Sequence, residues 1–243
     1  MPVSRDYGDP YYARSDGLAE TRYVYLDGND LPRRWRALAG GALVEPGAAV
    51  FRIGELGFGT GLAVLAAWAL WRSVMPAEAV LAVTSFEAAP LPQAAMRKAL
   101  GAWPELDPLA QALLEEWPEA PGRADIARAL PGLTLEIRLG DARDRVPAWA
   151  EGGAQMDAWF LDGFAPARNP AMWEPALLAT VAQATRPGGT MTTYSAAGRV
   201  RRALVQAGLE VARRPGFGVK REMLTAKRPA QGDAQGPAAE AIE

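Results

Sequence analysis

Chemistry in this 243-residue sequence gathers at four places where an apolar run stops at a small or acidic residue. The first reads Glu55-Leu56-Gly57-Phe58-Gly59-Thr60-Gly61-Leu62, with three glycines at alternate positions just before a helical stretch. Such a turn lets backbone approach a ligand closely and aims the first amides of the following helix at it. The second run ends in Phe86-Glu87, the third in Leu139-Gly140-Asp141-Ala142, and the fourth in Phe160-Leu161-Asp162-Gly163-Phe164-Ala165-Pro166. Glu87 lies far enough after the turn to accept from a ribose hydroxyl, and Asp141 can accept from an adenine amino group. Asp162 is then the acid placed beside whatever atom reacts. Each acid taken alone also reads as a solvated strand end, and the glycines alone as a tight turn; the case for a nucleoside-containing ligand is that all of them fall in register.

The glycine spacing is G-x-G-x-G, not the G-x-G-x-x-G of dinucleotide binders, whose turn cradles a pyrophosphate. That favours S-adenosylmethionine over NAD, with Glu55, Gly57, Phe58, Gly59, Gly61, Glu87, Asp141, Ala142 and Asp162 as the candidate cofactor residues.

Those residues need a parallel sheet to bring them to one edge. Apolar runs at 50–54, 80–86, 133–139, 156–161 and 190–194 read as buried strands, and 209–213 and 222–226 as two closing ones. Helical stretches at 62–73, 91–100, 108–117, 172–185 and 199–207 alternate with them, so the expected fold class is α/β, a Rossmann-like and mostly parallel doubly wound sheet. Residues 21–26 show strand-like alternation before Gly28-Asn29-Asp30, which predicts an N-terminal hairpin or lid over 1–45 ahead of a core at 46–228. Residues 101–132 are proline-rich and hold Trp103 and Trp117, more than a bare crossover requires, and predict a helical insertion between the second and third strands. Residues 229–243 read as a flexible tail or linker after a single domain spanning 1–228.

Composition removes whole classes of function. There is no Cys and no His, so disulfides, thiol nucleophiles, Ser-His-Asp triads and histidine metal sites are excluded and no metal is expected. An NAD-dependent oxidoreductase also loses its usual histidine proton relay. The longest apolar run, 62–71, is half the ~20 residues a spanning helix needs, and no membrane partner is expected. Absence of Cys fits a cytoplasmic setting. The net charge of −2 conceals an asymmetry: residues 195–228 hold nine basic side chains against two acidic ones. This is either a local surface for a polyanion, with Arg201 and Arg202 at its centre, or a solvated helix face followed by a basic tail.

The run Phe160-Leu161-Asp162-Gly163-Phe164-Ala165-Pro166 with Asn169-Pro170 and Met172-Trp173 resembles the methyltransferase domain that makes 5-methylaminomethyl-2-thiouridine in tRNA, often fused to an FAD-dependent oxidase. The likeness extends from Tyr11-Tyr12 and Gly17-Leu18-Ala19-Glu20-Thr21 through Gly28-Asn29-Asp30-Leu31 to Gly216-Phe217-Gly218-Val219-Lys220-Arg221-Glu222-Met223. It departs at Ala63, where the family usually has Asn, and at Ala88-Ala89. The resemblance implies methyl transfer from S-adenosylmethionine to the primary amine of 5-aminomethyl-2-thiouridine at the tRNA wobble position, with an oxidase domain or separate chain as partner. The same sequence is open to a methyltransferase for a small-molecule amine and to a non-catalytic RNA-binding scaffold. Asp162 would orient the ammonium, accept its proton or pass it to water. An unperturbed carboxylate titrating near 4 is a poor base, which favours orientation. Phe164 and Tyr194 would stack on the extruded base or else pack the core, and Phe217, Lys220 and Arg221 would close the pocket near phosphates or else be ordinary strand-end groups.

Overall fold

The computed structural model describes residues 16–41 and 49–230. An eight-stranded sheet with the order β3-β4-β2-β1-β5-β6-β8-β7 forms its centre. The parallel strands are β1 (Val50–Leu56), β2 (Val80–Glu87), β4 (Leu133–Leu139), β5 (Met156–Leu161) and β6 (Thr185–Thr193). Three strands in antiparallel pairings complete it: β3 (Ile126–Leu130) runs against β4 on one edge, and on the other β8 (Glu222–Lys227) runs against β6 and β7 (Glu210–Pro215) against β8. This is the Rossmann-like arrangement expected from the apolar runs, and runs 133–139 and 156–161 are matched residue for residue.

Chain order reverses at β1: β2 and β4 are added on one side, then β5 and β6 on the other. The crevice beyond the carboxyl ends of β1 and β5 is therefore the topological switch point, where doubly wound sheets bind their ligands. Alternation along the strands divides the core in two. Phe51, Ile53, Ala158 and Phe160 face α1 (Gly17–Thr21), α2 (Leu31–Gly40), α3 (Leu62–Val74), α4 (Gln93–Leu100) and α5 (Asp107–Glu115). Leu56, Trp159 and Leu161 face α6 (Ala142–Ala150), α7 (Pro175–Gln183) and α8 (Gly198–Gln206). Fully buried Trp35, Trp68, Trp71 and Trp159 anchor both layers, and truncating a core indole of this kind typically costs about 3–5 kcal/mol.

The structure corrects the sequence reading in several places. Residues 21–26 are not a strand: the chain continues from α1 into a π-helix, Arg22–Asp27, and the Gly28-Asn29-Asp30 turn joins it to α2. Leu18, Thr21 and Tyr25, and then Leu31 and Trp35, are buried at spacings of three and four residues, and Val24, Tyr25 and Leu26 are buried in succession, so helical packing prevailed over the local alternation. The insertion at 101–132 is helical only through α5 and then supplies β3, which returns on β4 through the two-residue Pro131-Gly132 turn with Gly132 at φ 76°. Helix α6 was not expected, because Pro147 interrupts its pattern. Helix α7 begins at Pro175, three residues later than expected, after a 3-10 turn at Ala171–Trp173. Tyr11-Tyr12, most of the 229–243 tail and residues 42–48 lie outside the described residues. No helix among the described residues is long and apolar enough to cross a membrane.

Candidate active site

The glycine turn opens the site. Gly57 adopts φ 91°, a left-handed conformation, and a methyl group there would collide with the backbone carbonyl oxygen of Asp162. Two neighbouring strand ends thus approach more closely than any other residue would permit. The turn is also tied to β2: the Gly59 amide donates to Glu87 Oε2 at 3.0 Å, and the Ala89 amide donates to Oε1 at 2.8 Å. Glu87 is thereby held against the turn it was expected to assist. Gly61 is in the same left-handed region at the start of α3, and its amide donates to the Phe58 carbonyl at 2.8 Å.

Phe58 does not behave as a cofactor-facing side chain. Its ring is buried and stacks on Trp117 of the insertion with a centroid distance of 5.1 Å, so a stacking partner drew it into the core. What Phe58 offers the turn is its backbone.

Glu55 ends β1 wholly buried; Ser85 Oγ donates to its Oε2 at 2.6 Å, and Oε1 has no partner among the described residues. Burial pushes its carboxyl well above the ordinary range, and the charges of Asp162 and Glu87 act in the same direction. Asp141 caps α6 by accepting from the Arg143 amide at 2.9 Å. The Arg143 guanidinium, 2.7 Å away, holds Asp141 below its ordinary value and also reaches Glu174 at 3.3 Å. Any donor that approaches Asp141 therefore has to share that carboxylate with Arg143. Ala142, the first residue of α6, is buried beside it.

Asp162 follows β5 directly, half-buried. Desolvation raises its pKa to about 7; Tyr25 and Lys220 oppose the rise, while Glu20 and Glu87 add to it. This amends the expectation drawn from the sequence: a carboxyl titrating near 7 is suited to accept a proton at neutral pH, so orientation and base chemistry are both within its capacity. Sequence reading missed its main partner. The Tyr25 hydroxyl, from the π-helix, donates to Asp162 Oδ1 at 2.6 Å.

Around this pair the remaining candidates divide. Tyr194 donates to the Gly163 carbonyl at 2.7 Å, which places its ring at the same loop. The Lys220 ammonium lies 3.6 Å from the centre of that ring and 3.3 Å from Glu20 Oε1, so Lys220 belongs to the site. Phe217 packs on Tyr23 at 5.9 Å, and Tyr23 donates to the Pro215 carbonyl at 2.9 Å, fastening the β7–β8 loop to the N-terminal helices. The Phe164 carbonyl accepts from Trp173 Nε1 at 2.9 Å, which gives Trp173 the packing role that suits its burial. Arg221 is exposed on the loop, and Arg201 and Arg202 are exposed on α8. Of the other basic residues in this third, Arg199 bonds the Pro166 carbonyl, Arg213 pairs with Glu222, Arg214 bonds the Asp27 carbonyl and Arg228 reaches the Gln183 carbonyl. The basic third is therefore not one continuous outward patch. No group of three or more acidic residues with metal-holding geometry occurs among the described residues.

The charges of Glu20 and Glu87 both bear on Asp162, so negative charge gathers at this sheet edge, while Glu55 lies beneath it, wholly buried. A small nucleoside carrying positive charge fits that field, with glycine backbone for close approach and Glu87 for a ribose.

Residues 104–229 match the family model described as S-adenosyl-L-methionine-dependent methyltransferase. The tRNA 5-methylaminomethyl-2-thiouridine biosynthesis bifunctional protein MnmC of Pseudomonas aeruginosa (strain UCBPP-PA14) is 46% identical over 242 residues, covering 99% of this chain and 35% of that protein. The protein of the same name from Chromohalobacter salexigens is 45% identical, covering 92% of this chain and 30% of that one. The chain thus spans about a third of the length of the curated relatives it matches. Among solved structures, MNMC2 from Aquifex aeolicus superposes with a TM-score of 0.73 at 25% identity, over 94% of this chain and 67% of that one.

Proposed function

This chain belongs to the S-adenosyl-L-methionine-dependent methyltransferase family, and from that premise we propose that it methylates the aminomethyl nitrogen of 5-aminomethyl-2-thiouridine at the wobble position of tRNA. The observation that carries the reading is Asp162: a carboxyl at the switch point, titrating at about 7 beside the glycine turn. The relatives' name supplies the substrate, since making a methylaminomethyl group by methyl transfer requires an aminomethyl precursor. The word bifunctional in that name supports a second catalytic unit, and an FAD-dependent oxidase, fused or separate, is the proposed partner, with residues 1–228 acting as one methyltransferase domain.

S-adenosylmethionine, when bound, supplies a methyl group made electrophilic by a positively charged sulfur. Backbone at Gly57, Gly59 and Gly61, the buried carboxyl of Glu55 and the carboxylate of Glu87 would hold it, with Asp141 and Ala142 at the adenine. The amine arrives protonated, because an alkylammonium titrates near lysine, about 10. Asp162 takes one proton from that ammonium, becoming a neutral acid and leaving the nitrogen lone pair exposed. Tyr194 and Phe164 line the loop that receives the base, and Lys220 on the Tyr194 face is positioned to turn to a phosphate.

The test is transfer of a labelled methyl group to tRNA carrying 5-aminomethyl-2-thiouridine, with unmodified tRNA and the free nucleoside as controls. Transfer to the modified tRNA alone is expected. Equal transfer to the free nucleoside would make the enzyme one for small amines. Asp162→Asn should lower turnover about 10²–10⁴-fold while still binding S-adenosylmethionine; equal loss of both would remove Asp162 from the transfer step.

A further inference from the structure

Beyond the residues already assigned, the N-terminal helical segment places a hydroxyl on the one carboxylate that the reaction needs. We propose that Tyr25 is a positioning residue of the transfer site: its hydroxyl fixes Asp162 Oδ1 and keeps that carboxylate ionised, leaving Oδ2 to meet the substrate amine. The proposal deepens the methyltransferase reading of the site, although its geometry does not depend on which amine is used.

Three independent features place this hydroxyl. The contact is short, 2.6 Å, and joins residues 137 apart in sequence. The backbone that presents Tyr25 is a π-helix, in which the Gly28 amide donates to the Tyr23 carbonyl five residues back at 3.1 Å. Such wide turns are uncommon, are poorer helices than the α form and recur at functional sites. They reorient every side chain they carry relative to an α-helical continuation. The third feature is Asn29, fully buried. Its Nδ2 lies 3.0 Å from the Tyr25 carbonyl, 3.2 Å from the Trp159 carbonyl and 2.9 Å from Thr192 Oγ1, while its Oδ1 accepts from Thr190 Oγ1 at 2.7 Å. One amide therefore locks the π-helix to β5 and β6, three residues before Asp162. The Tyr25 ring rests on Phe160 at 5.3 Å, which removes its remaining freedom.

A buried tyrosine requires a partner for its hydroxyl, and a backbone carbonyl would satisfy it. A carboxylate at the reacting edge does more, because a donor to the ionised form favours that form. Burial pushes the Tyr25 phenol well above its ordinary value, so it remains a donor throughout the working range. The other charged or titratable groups that bear on the pair are Glu20 on α1, Glu55 and Glu87 at the ends of β1 and β2, Tyr194 after β6, and Lys220 on the β7–β8 loop.

The decisive experiment follows the Asp162 carboxyl by carbon-13 NMR in the ligand-free full chain, using carbon-13-labelled aspartate assigned through Asp162→Asn. In Tyr25→Phe the midpoint should rise from about 7 by about one pH unit, the worth of a hydrogen bond to a charged group. The acid limb of kcat should rise with it, while the Kd for S-adenosylmethionine changes less than about twofold, since Tyr25 acts through Asp162. Placing 3-fluorotyrosine at position 25 makes a more acidic phenol and a stronger donor, and should move the midpoint downward. An unchanged midpoint in a Tyr25→Phe protein that binds S-adenosylmethionine normally overturns the proposal. If Tyr25→Phe does not fold, the fluorotyrosine protein decides, and an unchanged or upward midpoint overturns it equally. None of these titrations requires tRNA. Failure of transfer to modified tRNA with the Asp162 shifts intact would remove the substrate and leave the role of Tyr25 standing.

Discussion

Glu55 shows what an acid gives up to stand at this sheet edge. It is wholly buried with one hydrogen bond among the described residues, from Ser85, and burial raises its carboxyl well above the ordinary range. The sign of the resulting pH dependence follows from linkage. The folded chain binds this proton more tightly than the unfolded chain does, so the stabilisation is complete below the ordinary carboxylate range and is lost as pH rises toward the raised folded value. Glu55→Gln, a neutral amide of the same shape that still accepts from Ser85, should therefore melt higher than the native protein at pH 8. The difference should vanish near pH 4, and calorimetric affinity for S-adenosylmethionine should fall. A variant that melts lower at pH 8 would mean that Glu55 is ionised in the folded chain and stabilised in that form. At this scale the sequence marked the candidate acids but not their state. Asp162 was expected beside the reacting group, whereas its rise to about 7 comes from burial, with Glu20 and Glu87 adding to it and Tyr25 and Lys220 opposing it, all brought from elsewhere in the chain.

Among the elements, the turn after β1 carries a steric requirement that can be tested directly. Gly57→Ala meets two penalties, a left-handed backbone at φ 91° and collision with the Asp162 carbonyl. Gly153, at φ 72° with nothing near its absent side chain, meets only the first. In denaturant unfolding Gly153→Ala should cost about 1–2 kcal/mol, and Gly57→Ala more, with loss of S-adenosylmethionine binding in the second alone. Equal costs would show that the approach of β1 to β5 is looser than the structure indicates. The N-terminal segment gives the clearest case of a misread element. Thr21 to Leu26 alternates like a strand over six residues, yet Leu18, Thr21 and Tyr25, and beyond them Leu31 and Trp35, are buried at helical spacing. Strand β3 was legible in principle from Pro131-Gly132, a two-residue turn between apolar runs. Helix α6, with Pro147 inside it, had no comparable signal.

For the whole molecule the proposed tRNA substrate raises the question of where a chain of net charge −2 would hold a polyanion. Much of the basic C-terminal third is engaged internally, Arg213 with Glu222 and Lys220 with Glu20 among others. Arg201, Arg202 and Arg221 are exposed and remain the candidates for phosphate binding. Reversing Arg201 and Arg202 to Glu together should weaken tRNA binding at low salt and flatten the dependence of log K on log salt by about 1 for each phosphate no longer neutralised. Affinity for S-adenosylmethionine should be unchanged. An unaltered slope would move the RNA surface away from α8.

The sequence by itself determined the sheet and the chemistry available at its edge. Strands such as 133–139 and 156–161 are written in continuous apolar runs, and a run interrupted by glycine or an acid marks its own end, because strand burial is a property of neighbouring residues. It likewise excluded thiol and histidine chemistry by composition alone. Only the tertiary structure decided which side chains share the site. Phe58 left the glycine turn for Trp117, far along the insertion; Asp141 was claimed by Arg143; and Tyr25, hidden in a segment that alternates like a strand, arrived at Asp162 across 137 positions. Local periodicity records which face of an element is buried. It does not record what the other elements bring to that face, and both the partner of Asp162 and its proton affinity are set there.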